Sequence, residues 1–128
     1  MEMQLEAVQI PVADIDRSRD FYARIVGFAL DLDLVAPGGM RVVQLTPPGS
    51  GCSIHLVEGE HPNPGLTLVV DDVRAVRADL AARGAPVGDV VHFENGEQKP
   101  GYSDEPWSSM VFFADPDGNR WIIQERPT

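Results

Sequence analysis

The chain has 128 residues, 43% of them hydrophobic, enough for a single domain-sized unit that buries a core without staples. Ten Lys plus Arg against twenty Asp plus Glu give a net charge of −10, which repels phosphate backbones and anionic bilayers and so excludes nucleic acid and membrane surfaces as expected partners. The acids are scattered along the chain, as in a solvated surface; Cys52 stands alone, so no intrachain disulfide forms, and no basic-plus-apolar leader is seen, which makes the expected location cytoplasmic.

Leu5 to Val12 alternates loosely, with Val8 and Ile10 set against Ala7 and Gln9, and predicts a strand. Asp14 caps a helix predicted over 15–26. Ile15, Ser18, Tyr22, Ile25 and Val26 share its buried stripe, Asp16, Arg17, Arg19 and Arg24 face water, and Gly27 stops it. Phe28 to Val35 reads as a strand interrupted by Asp31 and Asp33. Pro37-Gly38-Gly39 turns the chain into Arg41–Leu45, and Pro47-Pro48-Gly49-Ser50-Gly51 leads into Cys52–Val57. The first module, residues 1–58, is therefore βαβββ.

Residues 59–64 carry prolines and no periodicity and form a linker; the second module, 65–126, opens as the first did. Leu66, Leu68 and Val70 share one strand face. Asp72 caps a helix with Val73, Val76 and Leu80 on its apolar side, ending at Gly84. Placing Asp14 on Asp72 also places Val12 on Val70, Ile15 on Val73 and Arg19 on Arg77. Val87–Phe93 is the next predicted strand, and a polar stretch from Glu94 to Trp107 follows it. Phe113 to Gln124 closes the module as a hairpin around Pro116-Asp117-Gly118-Asn119, with Pro48 matching Pro116 and Ile54 matching Ile122.

The expected fold is α+β: two tandem βαβββ modules in one 128-residue domain, their mixed sheets paired around a central cleft with helices on the outer faces. With Val8, Ile10, Ile54, Leu56, Leu66 and Leu68 turned to the helices, period-two alternation sends Ala7, Gln9, Ser53, His55, Gly65, Thr67, Val69, Arg120, Ile122 and Gln124 to the cleft.

The segment Pro11-Val12-Ala13-Asp14-Ile15-Asp16-Arg17-Ser18-Arg19-Asp20-Phe21-Tyr22, its second copy Val69-Val70-Asp71-Asp72-Val73 and the Asp115–Asn119 turn resemble the vicinal oxygen chelate superfamily. That superfamily groups glyoxalases, bleomycin-resistance proteins, fosfomycin-resistance enzymes, epimerases and extradiol dioxygenases. Its metal-dependent members carry His, Glu or Gln at one inward position on the first and last strand of each module. Carried across one by one, those positions are Ala7, His55, Gly65 and Ile122, so His55 is the only matching metal ligand and no metal cofactor is expected. The departure resembles the branch that sequesters a small molecule, usually as a homodimer.

Three functions follow as expectations. The first is a small-molecule-binding protein with a metal-poor cleft lined by Gln9, His55, Thr67, His92, Tyr102, Trp107, Arg120 and Gln124. Its ligand would be a small organic molecule, a cation being compatible with the aromatic and acidic residues of Tyr102–Trp107. The second is a divalent-metal lyase, isomerase or dioxygenase with ligands at shifted positions such as Gln9, His55, Gln124 or Glu125. The third is metal-free acid–base chemistry with His55 or His92 as the catalytic base. For His55 the competing role is a satisfied core or lining histidine. His61 is expected in solvent, Cys52 as a small buried hydrophobe, and Trp121 under a helix.

Overall fold

Asp14 accepts a hydrogen bond from the Arg17 N–H at 3.1 Å, and Asp72 accepts one from the Ala75 N–H at 3.0 Å. Both are extended residues (φ −131° and −141°) whose carboxylates satisfy an orphan donor of the first helical turn, so the two helices start by the same device. The computed structural model describes residues 1–128. They group into two units, Met1–Asn63 with Asp115–Asp117, and Pro64–Ala114 with Gly118–Thr128.

In the first unit, strand β1 (Ala7–Val12) runs parallel to β4 (Ser53–Glu58), which pairs with β3 (Arg41–Thr46); β2 (Ala29–Val35) lies at the edge, giving the order β1-β4-β3-β2. Helix α1 (Ile15–Asp20) packs on β3 and β4. Ile10, Val12, Val43, Leu45, Ile54 and Leu56 point to the covered face and are at most 4% exposed. The predicted 15–26 helix is not α throughout. From Phe21 to Val26 it widens into a π-helix, the Gly27 and Phe28 N–H groups both donating to the Tyr22 carbonyl, and Gly27 ends it at φ 92°.

The hairpin turn is bound to this unit by its carboxylates. Asp117 accepts from the Ala13 N–H at 3.0 Å, from the Ser18 hydroxyl at 3.3 Å and from the Arg17 guanidinium at 3.3 Å. Asp115 accepts from the buried Tyr22 hydroxyl at 2.7 Å. On the covered side of β2, Asp33 accepts from Arg19 at 2.7 Å and from Arg41 at 3.1 Å, while Arg41 also reaches Asp16 at 2.6 Å.

In the second unit, β5 (Leu66–Val70) runs parallel to β9 (Arg120–Glu125), followed by β8 (Ser109–Ala114), β6 (Val91–Glu94) and β7 (Glu97–Pro100) in the order β5-β9-β8-β6-β7. Helix α2 (Val73–Ala82) packs on β8 and β9. Under it lie Val111, Phe113, Trp121 and Ile123, with the Phe113 and Trp121 rings stacked at 6.1 Å. Trp121 is thus buried on the helix side.

This module carries one strand more than the βαβββ pattern predicts. The stretch read as polar from Glu94 to Trp107 contains β7, and the strand expected from Val87 starts only at Val91. The cause is Asn95-Gly96, both at positive φ (52° and 80°), the backbone of a two-residue hairpin turn whose twist suits the flanking strands.

Candidate functional site

Each sheet has one face covered by its own helix, and alternation sets a different group of side chains on the other face. In the first unit β1 and β4 pair Gln9 with His55, and β3 and β4 pair Gln44 with His55, so these three share the face that α1 does not cover. Gln9 is exposed and His55 half-buried. Ser53 and Thr46 lie further along the same face, their hydroxyl oxygens 2.7 Å apart. A register shift between Leu30 and Leu32 turns Asp31 toward it as well, where its carboxylate accepts from the Gln44 amide at 3.2 Å and from the Thr46 hydroxyl. His55 Nε2 stands 2.9 Å from Gln44 Oε1. The Thr46 and Gln44 donors hold the Asp31 carboxyl below the usual carboxylate range.

Gln44, Thr46 and Asp31 are missing from the candidates drawn from sequence. Gln44 had a signal, being a polar residue within the otherwise apolar run Val42–Leu45. Asp31 had none that survives the bulge, because a register shift breaks strict alternation.

In the second unit the face not covered by α2 carries Thr67 opposite Ile122, Val69 opposite Gln124, and Arg120 opposite Ala114. Thr67 and Arg120 are exposed. The Gln124 amide donates to the Trp107 carbonyl at 2.7 Å, holding a loop in which Trp107 has φ 66° and is 51% exposed.

Tyr102 lies with the helix-side residues. Its hydroxyl donates to Glu125 at 2.6 Å, the other Glu125 oxygen accepts from the Val73 N–H at 3.0 Å, and the Arg74 guanidinium sits 3.7 Å above the ring. The adjacent Glu125 carboxylate raises the Tyr102 pKa above the ordinary phenol value. Tyr102, Asp104, Glu105, Trp107 and Glu125 border a pocket of about 220 Å³ that the C-terminal residues 126–128 complete.

His92 departs from the expected face. Its register places it directly opposite Ser109, which is 1% exposed and shares the helix-side alternation of Val111 and Phe113. Its Nδ1 lies 2.8 Å from the Gly101 carbonyl and its Nε2 3.4 Å from Glu94; a neutral imidazole donates through one nitrogen only, so one of these two contacts is a hydrogen bond while the other sets a lone pair beside an acceptor, and neither nitrogen points to the uncovered face. The reason is the pairing with β8, since directly opposed residues of an antiparallel pair share a face and Ser109 lies on the helix side. His61 is exposed, and Cys52, partly buried, points its thiol at the Ser53 carbonyl.

The residues at the four superfamily ligand positions do not fit a divalent ion. Ala7, Gly65 and Ile122 have no side-chain donor atom, and no cluster of three or more His, Cys, Asp or Glu has metal-binding geometry. At His55, moreover, Nε2 is taken up by Gln44. No helix is long and apolar enough to cross a membrane.

A family model described as the glyoxalase/bleomycin resistance protein/dioxygenase superfamily matches residues 4–123. No curated protein matches the chain significantly. Among solved structures, TnmS3, an antibiotic-binding protein from Streptomyces sp. CB03234, is 32% identical, with 98% of this chain and 97% of that one covered and a TM-score of 0.74. A glyoxalase/bleomycin resistance protein from the same organism is 33% identical over 94% and 99% of the two chains, with a TM-score of 0.72. A lactoylglutathione lyase from Agrobacterium tumefaciens, 19% identical over 97% and 94%, shares the fold at a TM-score of 0.70. A duplicated arrangement of capped helix and parallel outer strand pair, matched over nearly all its length by one family model, makes this chain a member of the glyoxalase/bleomycin resistance protein/dioxygenase superfamily.

Proposed function

We propose that the protein binds and sequesters a small organic molecule of the antibiotic class in the cytoplasm, without a metal cofactor and without converting it. The observation that carries this reading is the chemistry of the uncovered sheet faces. On the first unit's face Gln9 offers hydrogen bonds beside His55, its one imidazole; on the second unit's face Thr67 and Gln124 offer hydrogen bonds and Val69 and Ile122 apolar contact. Either face by itself can orient a ligand but provides too few anionic or imidazole ligands for Lewis-acid chemistry. TnmS3, at 32% identity, supports the antibiotic class.

The pocket beside Trp107, with Asp104 and Glu105 on its border, is where a cationic group of the ligand would be met. A homodimer belongs to the same reading. Edge strand β2 leaves Leu30, Leu32 and Leu34 between 41% and 45% exposed, a surface that a second copy would cover, and light scattering on the purified protein tests it.

The deciding experiment is calorimetric titration with bleomycin and a panel of aromatic antibiotics, followed by mass spectrometry of the recovered ligand. Saturable binding with the ligand mass unchanged is the expected outcome; a product of altered mass would replace sequestration with catalysis. A second reading, metal-free acid–base catalysis, is favoured by one feature: His55 Nδ1 has no hydrogen-bond partner. His55→Gln separates the two, since turnover would collapse while affinity largely survived.

A further inference from the structure

The hydrogen bonds on the uncovered face of the first unit form a chain whose direction is set at one end. Asp31 accepts hydrogen bonds and cannot donate them when ionised. Its neighbours keep it ionised, as the Thr46 hydroxyl and Gln44 amide both lower its pKa. The Gln44 group facing Asp31 at 3.2 Å must therefore be the NH₂, which turns the amide oxygen toward His55. An amide oxygen accepts, so His55 Nε2, 2.9 Å away, must carry a proton. In the neutral imidazole that leaves Nδ1 with a bare lone pair and no partner within the protein. Thr46 spends its own proton on Asp31, so Ser53 donates to Thr46, and that hydroxyl pair too is oriented from Asp31.

We propose that His55 is a fixed-tautomer hydrogen-bond acceptor, its Nδ1 selecting ligands that present a phenol, hydroxyl or N–H donor to this face, with Gln44 and Asp31 as positioning residues. Ligand selection rests on the small-molecule-binding function above, whereas the tautomer does not. The relay works against a rotating or tautomerising imidazole, which would present a donor and an acceptor in turn and so discriminate poorly. Gln9, paired with His55 across β1 and β4 and with its side-chain amide unengaged, flanks the acceptor and offers a second polar contact to the same ligand.

Long-range proton–nitrogen correlation spectra of ¹⁵N-labelled protein, at a pH where the imidazole is neutral, read the tautomer directly. His55→Gln assigns the resonances. In the ligand-free protein the expected pattern is Nε2 protonated and Nδ1 bare; Gln44→Met should replace it with averaged nitrogen shifts while the thermal midpoint shows the fold intact. A protonated Nδ1 in the unaltered protein, or a tautomer indifferent to Gln44→Met, would overturn the relay.

Ligand selection is read with two probes of nearly equal shape, 2-naphthol, which donates a hydrogen bond, and 2-methoxynaphthalene, which does not. The expected result is that 2-naphthol moves the His55 Nδ1 resonance and binds about three- to tenfold more tightly, the advantage of one well-made hydrogen bond, and that this preference disappears in His55→Phe. Equal affinities, or no movement of the Nδ1 resonance with 2-naphthol, would overturn the acceptor role. Antibiotic binding that leaves that resonance unmoved would reject the acceptor while leaving sequestration in place. A confirmed tautomer with 2-naphthol preferred but no antibiotic bound would uphold the acceptor and reject the antibiotic class.

Discussion

The hydrogen bond from Tyr22 to Asp115 permits a quantitative test of how the hairpin turn holds the helix that covers the His55 sheet. Tyr22 is fully buried, its ring stacked on Phe28 at 5.7 Å, and its hydroxyl donates to an Asp115 carboxylate that is 5% exposed. A buried hydrogen bond to a charged group contributes about 1.5–3 kcal/mol, against about 1 kcal/mol for a neutral pair. Tyr22→Phe removes the donor with little change of shape and should lower the unfolding free energy by ~2 kcal/mol. Asp115→Ala should cost more, about 3 kcal/mol, because it also deprives the Asp117 N–H of its acceptor at 2.9 Å and leaves the phenol without this partner. Since both variants break one shared bond, the double variant should cost less than their sum, the difference being a coupling of ~2 kcal/mol. Urea denaturation followed by tryptophan fluorescence measures all four proteins, with an unchanged m-value confirming that stability alone has moved. A coupling below about 0.5 kcal/mol would refute the account, showing that Asp115 serves the turn without the tyrosine.

Four further outcomes follow from the structure. Asp14→Ala and Asp72→Ala should each lower stability by about 1 kcal/mol in the same denaturation assay, because each removes the side-chain acceptor of a helix N-cap. Gly27→Ala should cost about 1–2 kcal/mol, as the residue holds φ 92° where a Cβ meets the following carbonyl. Asp16, Asp31 and Asp33 have lowered folded-state pKa values, caused by Arg41, by Thr46 and by Arg41 respectively. Their contribution to stability is complete above the unfolded carboxylate pKa of about 3.9 and is lost as pH falls through the lower folded values, so denaturation midpoints should drop below about pH 4, less steeply in Asp33→Asn. In ultraviolet titration, Tyr102, identified by difference from Tyr102→Phe, should ionise above the ordinary tyrosine range, and Glu125→Gln should bring it back toward about 10 by removing the carboxylate that raises it.

The helix starts at Asp14 and Asp72, the stop at Gly27 and the sides taken by Ile10, Ile54, Leu56 and Trp121 were legible in the sequence because each depends on neighbours a few residues away. Capping needs one acceptor next to one helix, and strand alternation needs only the local pleat. The extra hairpin was legible too, in Asn95-Gly96, but the polar residues around it concealed β7. His92 went astray for a related reason: its face depends on where β6 begins and which residue of β8 it pairs with, and one step of register reverses a side chain.

Sequence by itself determined the duplicated βα openings, the covered faces of both sheets and the lack of metal donors at Ala7, Gly65 and Ile122, since residue type and short-range periodicity suffice for all three. Tertiary structure alone decided the relay Asp31–Gln44–His55 and the placing of His92 beside the Gly101 carbonyl and Glu94. Hydrogen bonds between side chains on different strands depend on inter-strand register and on the bulge at Leu30–Leu32, and those are set by the packing of the whole sheet.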